Sequence, residues 1–335
     1  LYNNNMQVKK IKTLYFGSGT PNLLNGEQIK EIIDFVIQHL DFPQTGEITM
    51  ESNPSSLDKN KLINYKKAGI NRLSLGIQSL IDEELQLLGR IHTSDTARDI
   101  ISKVKEVFNN FNLDLIFAIP DQSLEKWMYT LNKILEFKPS HLSIYNLQIE
   151  PETLLYEKVK KGKISPISEE IDAAMYKKTI KHLKKSGYKH YEISNFSLPG
   201  YKCKHNLLYW KYLPHLGIGP AAHSFDSNNR FYNFADLDKY YQKIEENKFP
   251  IKEKFNLSLK ELMAEKMIMG LRLLKGISKK NFYQRFDQKI KEVYSEEIEN
   301  LMRNELLIED KEKILLTTRG LMLGNKVFQQ FLPKE

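Results

Sequence analysis

Cysteine is almost absent from this 335-residue chain, where Cys203 is the only one. One thiol excludes an internal disulfide framework, and it excludes any multi-cysteine zinc or iron–sulfur site built from these residues alone. It suits a reducing compartment, so a cytoplasmic setting is expected. No apolar run approaches the roughly 20 residues of a membrane-spanning helix. Neither an internal repeat nor a low-complexity run is present. Charge of one sign is in only slight excess: 50 Lys and Arg against 42 Asp and Glu leave +8. The excess is carried mostly by scattered lysines and forms no basic stripe, so no nucleic-acid partner is expected. What is plentiful is ordinary core material. Hydrophobic residues make up 41% and charged residues 27% of the chain, which excludes disorder, collagen and coiled coil. The length fits two domains at roughly 150 residues each.

The first half alternates strand and helix. Strands are expected at 11–16, 47–51, 72–77, 113–119 and 141–147. Helices are expected at 27–40, 57–68, 82–88, 94–109 and 123–137. This rhythm implies parallel strands with covering helices, in a partial β/α barrel or an open doubly wound sheet. In a barrel the chemistry sits at the C-terminal strand ends. After 150 the pattern changes. A helix at 167–186 and a short segment at 191–196 lead into a loop-rich, aromatic stretch to about 235. Helices near 258–274, 278–286 and 290–303, then strands near 306–308 and 314–317, suggest a winged-helix-like domain. The expected division is 1–235, a linker at 236–256, and 257–335.

Four constellations carry chemistry. Gly17-Ser18-Gly19-Thr20-Pro21 follows a strand, and is either a tight turn or a loop that lets backbone groups approach a ligand. Glu51, Gln78 and Asp114 fall at or within successive strands. Buried carboxylates need partners, and Arg90 is the expected counter-charge. Cys203-Lys204-His205-Asn206-Leu207-Leu208-Tyr209-Trp210 packs a thiol, an imidazole and two aromatic rings together. It offers too few ligands for zinc, whereas haem iron needs only one imidazole. Lys202, Lys204 and Lys211 are candidates to meet propionates. The alternative is a loop whose rings pack on the domain. Gly217-Ile218-Gly219-Pro220-Ala221-Ala222 matches a dinucleotide pattern but lacks the preceding strand, which argues against nicotinamide binding. The Met-rich stretch Leu262, Met263, Met267, Ile268, Leu271 and Leu274 has helical spacing and reads as core.

Together these segments resemble the radical S-adenosylmethionine (SAM) proteins of the oxygen-independent coproporphyrinogen III oxidase family. The glycine loop is similar to that family's Gly-Gly-Gly-Thr-Pro loop, and Met50-Glu51-Ser52-Asn53-Pro54 to its Glu-x-Asn-Pro strand end. Arg72-Leu73-Ser74-Leu75-Gly76-Ile77-Gln78-Ser79 resembles its Arg-Leu-Ser-x-Gly-x-Gln-Ser strand. Leu88-Gly89-Arg90-Ile91-His92, Leu113-Asp114-Leu115-Ile116, the 191–196 segment and His223-Ser224-Phe225 follow in the family's order. His205-Asn206-x-x-Tyr209-Trp210 resembles the mark of the HemW branch, the haem chaperones. The resemblance implies a partial (β/α)6 barrel with a winged-helix-like C-terminal domain, and SAM, a [4Fe–4S] cluster and haem as cofactors. It implies that Gly17, Ser18, Gly19 and Thr20 hold the methionyl amine of SAM, with Glu51, Gln78, Arg90 and Asp114 lining the same cavity. His205 would ligate haem iron, with Tyr209 and Trp210 beside it. The implied partners are haem and a haem-acceptor protein. A membrane-associated acceptor and a dimer are both compatible with this reading.

The chain departs from the family in two places. The Cys-x-x-x-Cys-x-x-Cys cluster motif is absent, which suggests that the first strand and cluster loop are missing from this version. Ser18 stands where the family has Gly. The competing reading is an oxidase of porphyrin biosynthesis, a radical SAM oxidoreductase, which needs the glycine loop and Glu51 but not the His205 motif.

Overall fold

The computed structural model describes residues 10–17 and 19–333. Its described residues fall into two compact units, 10–190 with 194–203 and 191–193 with 204–333.

In the first unit the strands are β1 (Thr13–Phe16), β2 (Glu47–Ser52), β3 (Arg72–Gln78), β4 (Phe111–Phe117), β5 (His141–Asn146), β6 (Lys189–His190) and β7 (Asn195–Ser197). They form one sheet in the order β1-β2-β3-β4-β5-β7-β6. Strands β1 to β5 are parallel, and β7 runs antiparallel to both β5 and β6. Five parallel strands with intervening helices make the partial β/α barrel. The helices are α1 (Gly26–His39), α2 (Lys59–Ala68), α3 (Asp82–Leu87), α4 (Ser94–Val107), α5 (Leu124–Glu136), α6 (Leu154–Lys160) and α7 (Glu169–Lys185). Short polar side chains start many of them. Asn25, Asp58, Thr93, Ser123, Thr153 and Ser168 each accept a bond from a backbone N–H in the first turn, satisfying a donor the helix cannot.

Register and the two-residue side-chain period divide the sheet into unlike faces. Leu14, Ile48, Met50, Leu73, Leu75, Leu113, Leu115, Leu142 and Ile144 share one face, and all but Leu14 are fully buried. The helices pack there: Phe117 of β4 lies 5.7 Å from the Trp127 ring of α5 and 6.1 Å from Tyr176 of α7. The opposite face carries Tyr15, Thr49, Glu51, Arg72, Ser74, Asn112, Asp114, His141 and Ser143 in lateral register. It is the polar lining of the barrel.

Two expected strands shift. The one placed at 113–119 runs 111–117, because Ala118 takes φ 60° and ends the extended run. Of the 191–196 segment only 195–196 lie in a strand, β7, and 191–193 belong to the second unit.

The second unit begins with α8 (Lys204–Trp210). An antiparallel sheet follows, made of β8 (His223–Phe225), β9 (Asn229–Asn233) and β10 (Ile251–Asn256), with α9 (Leu237–Glu245) between β9 and β10. The expected linker at 236–256 thus holds a helix and a paired strand. Then come α10 (Leu259–Leu271), β11 (Ile277–Ser278), α11 (Lys279–Phe286), α12 (Ile290–Val293), α13 (Ser295–Arg303), β12 (Leu307–Glu309), β13 (Lys313–Leu316), α14 (Thr318–Met322) and α15 (Gly324–Gln329). Strand β13 pairs antiparallel with both β11 and β12, which is the winged-helix arrangement. Leu262, Met263, Met267 and Leu271 of α10 join Phe282, Ile298, Ile314 and Phe328 in one core, as the spacing predicts. Among the described residues, no helix is long and apolar enough to cross a membrane.

Candidate functional site

The glycine loop leaves the C-terminal end of β1 against the end of β2. A Cβ at Gly17 would stand 2.7 Å from the Tyr15 ring and 3.3 Å from Glu51 Oε2, so only glycine lets the backbone lie there. Gly19 has φ +58°. Ser18 lies outside the described residues. Thr20 precedes the 3-10 turn Pro21–Leu23. Tyr65 of α2 fixes the loop's far end, its hydroxyl donating to the carbonyls of Asn22 at 3.0 Å and Leu24 at 2.7 Å. Asn22 Nδ2 donates to Ser56 Oγ at 2.7 Å, tying this loop to the one after β2.

Glu51 accepts a 2.6 Å bond from the Tyr15 hydroxyl. Burial, and then the Glu51 charge, push the Tyr15 pKa far up, so the phenol keeps its proton and remains the donor. Gln78 ends β3 in a left-handed conformation, φ 67°. Its Nε2 lies 3.0 Å from where a Gly76 Cβ would be, so the side chain folds over Gly76, the register partner of Asp114. Asp114 takes a 2.8 Å bond from Asn112 Nδ2 and a 3.2 Å bond from Ser74 Oγ. Burial raises its pKa; Ser143 and Asn112 partly offset this, and Glu51 adds to it. The guanidinium whose charge reaches Asp114 is Arg72, not Arg90. Arg90 is exposed in the turn after α3, where its backbone N–H meets Leu85 O. The expected counter-charge is corrected accordingly: a residue in the turn after a helix does not reach mid-strand, whereas Arg72 shares the lining face.

Asn112 is the hub of this lining. Its amide donates to Ser74 and Asp114, so its Oδ1 accepts from His141 Nδ1 at 2.6 Å and Ser143 Oγ at 3.1 Å. That places the imidazole proton on Nδ1. Burial, with Arg72 second, holds His141 neutral far below the usual histidine range. Cys203 Sγ donates to Glu47 Oε1 at 3.6 Å in the same unit. The sequence reading missed Tyr15, Arg72, Asn112 and His141. Their signal was available: every second position of 72–76, 112–114 and 141–143 is polar or glycine.

The second group lies wholly in the other unit. His205 and Tyr209 are four residues apart on α8 and share a face, and His205 Nε2 meets the Tyr209 hydroxyl at 2.9 Å. The Tyr209 ring stands edge-on to His215 with centroids 4.6 Å apart. His215 is anchored by two 2.9 Å backbone bonds with Phe225. Burial lowers its pKa to about 4, so it is neutral at physiological pH. Trp210, at the end of α8, lies under the guanidinium of Arg272, 4.5 Å from the ring centroid. Neither His215 nor Arg272 was singled out from sequence. The Gly217–219 stretch is a loop held by Asn233 Nδ2, which donates to Gly219 O at 2.9 Å, and not a phosphate-binding turn.

A partial β/α barrel with a glycine loop at its strand ends, joined to a winged-helix-like domain, defines a radical SAM protein. Residues 5–134 match the Radical SAM superfamily, and 257–323 match the HemN C-terminal domain. The fold is that of coproporphyrinogen III oxidase (HemN) from Escherichia coli, with TM-score 0.79 and 23% identity over 96% of this chain and 78% of that one. The heme chaperone HemW of Lactococcus lactis is 33% identical over 330 residues, 97% of this chain and 86% of that protein. The heme chaperone HemW of Bacillus subtilis is 33% identical over 324 residues, 96% of this chain and 86% of that protein. The chain belongs to the heme chaperone HemW family.

Radical SAM membership implies SAM and a [4Fe–4S] cluster. The donor set at the barrel mouth fits SAM. Glu51 and Asp114 are carboxylates close enough for one to raise the other's pKa, and a cationic ligand relieves that repulsion. The cluster does not fit these residues. The one thiol, Cys203, is buried against Glu47 and cannot supply three ligands.

Proposed function

We propose that this chain binds haem through its second unit and hands it to an acceptor protein. The observation that carries the reading is His205 held at Nε2 by Tyr209 on α8, whose ring stands edge-on to both His205 and His215. A neutral imidazole is an iron ligand, and flat apolar rings suit the macrocycle. The relatives' name, heme chaperone, supports the same reading. Family membership together with the His205 motif favours this reading over the oxidase, whose structural likeness at 23% identity speaks to fold alone.

The barrel mouth would hold SAM. The loop Gly17, Ser18, Gly19 and Thr20 would take the methionyl amine, and Glu51 and Asp114 would face the positive charge. Gln78 would complete the lining. SAM bound there would supply a sulfonium with a cleavable carbon–sulfur bond. The chain's own contribution is orientation: Tyr15 fixes the Glu51 carboxylate, and Asn112 fixes Asp114. The setting proposed is the cytoplasm, where a lone cysteine stays reduced.

Titration of the chain with haemin, followed by Soret absorbance, tests the reading. One saturable site per chain is expected. Unsaturable, nonspecific uptake would overturn it.

A further inference from the structure

Three arginines of the second unit lie on aromatic rings, and they differ in what their nitrogens meet. Arg230, 5.6 Å over Phe225, forks onto Glu265 at 2.8 and 2.9 Å. Arg285, 4.7 Å over Tyr212, donates to the carbonyls of Tyr212 and Ser227, both at 3.0 Å. Arg272 is different. Its guanidinium stands 4.5 Å over Trp210 and 5.9 Å over Phe328. No side-chain hydrogen bond or ion pair to it is formed among the described residues, and its Nε is shut off from solvent without an acceptor. The indole Nε1 of Trp210 is in the same condition. Two stacked groups thus each keep a buried N–H donor without an acceptor, and a buried donor calls for an oxygen.

Arg272 is not loosely held. It caps the C-terminal end of α10, and its carbonyl accepts from Ile193 N at 3.1 Å. Phe328 is part of the domain core. The two rings therefore fix a planar, permanently charged fork that has no acidic partner among the described residues. Such a fork matches a carboxylate, which it binds through two parallel bonds. Its neighbour Trp210 ends the same two-turn helix on which His205 lies. Five residues of helix rise only about 7.5 Å and turn by about 140°, so a porphyrin held by His205 would have to wrap the side of α8 to bring a propionate to Arg272.

We propose that Arg272, steadied by Trp210 and Phe328, is the carboxylate anchor of the haem site and binds a propionate of the porphyrin. The proposal rests on the haem-binding reading above. It moves the anionic end of the site from the lysines flanking the motif to an arginine of α10, and it gives Trp210 a positioning role.

The test compares haemin with its dimethyl ester, whose carboxylates are masked, on the full chain. The wild type is expected to bind haemin about tenfold to a hundredfold more tightly than the ester, as loss of a charge-assisted bond implies. Arg272→Gln is expected to lose that preference while keeping the wild-type Soret position, since His205 is untouched. Arg272→Lys, which keeps the charge but not the fork, is expected to fall between them and serves if the glutamine variant does not fold. Equal affinity of the wild type for both ligands would overturn the proposal, as would a preference that survives in Arg272→Gln and Arg272→Lys alike. Failure of the wild type to bind either ligand would overturn the haem reading, and the proposal with it.

Discussion

The barrel lining and the α8 patch handle polarity in opposite ways. On the lining, most polar groups satisfy one another, although Thr49 Oγ1 and Arg72 Nε are buried without a partner atom. Asn112 makes bonds with Ser74, Asp114, His141 and Ser143, and Tyr15 meets Glu51. On the patch, the Trp210 indole and the Arg272 guanidinium are stacked, and each keeps a buried N–H donor without an acceptor. A closed network holds side chains in place for a ligand that enters at its edge. An open one takes its ligand as the missing partner. On the proposed reading, the difference gives rigidity to the first unit and reception of an anionic, aromatic guest to the second.

The sharpest way to break this contrast is to remove the hub. Asn112→Leu strips bonds from Asp114, His141 and Ser143 at once and leaves buried groups unpaired. A loss of about 3 kcal/mol or more is expected in urea unfolding, with the haem affinity of any folded fraction unchanged. A loss under about 1 kcal/mol would show that the lining is not the interlocked network described. Tyr209→Phe is milder. It removes the 2.9 Å bond to His205 and is expected to cost about 1 kcal/mol of stability. Haem affinity should fall a few-fold because the imidazole is less well oriented, and unchanged affinity would remove the positioning role. The remaining effect is one of pH. The folded-state pKa of His215 lies near 4, against about 6.5 for an unperturbed histidine. Between those values the unfolded chain takes up a proton that the folded chain refuses. Stability is therefore full above pH 6.5 and falls as the pH drops towards 4. Thermal melts of His215→Gln should show a shallower acid slope than the wild type in that window. Identical slopes would mean that His215 is not held neutral by burial.

The parallel strands and their helices were legible because apolar runs, Gly or Pro breaks and capping residues agree at each step. Pattern reading failed where side chains serve two masters. The strands expected at 72–77, 113–119 and 141–147 were read without a polar face, yet alternate positions line a polar interior, so Arg72, Asn112 and His141 were not singled out as site residues. Strand β10, Ile-Lys-Glu-Lys-Phe-Asn, is largely exposed and charged, and only its pairing with β9 reveals it. At the site, the spacing of His205 and Tyr209 announces a shared helix face. Nothing in Leu271-Arg272-Leu273 announces a guanidinium on Trp210, because that contact joins residues 62 apart in sequence. Arg90 was offered as a counter-charge on order in the chain alone, and the lateral register gives the position to Arg72.

The most direct measurement is a haemin titration of the wild type beside His205→Ala, with His182→Ala, a histidine of the other unit, as the control. The account expects saturable binding in the wild type and the control, with a Soret band typical of a ligated iron, and both lost in His205→Ala. Full affinity and an unchanged Soret band in His205→Ala would contradict it.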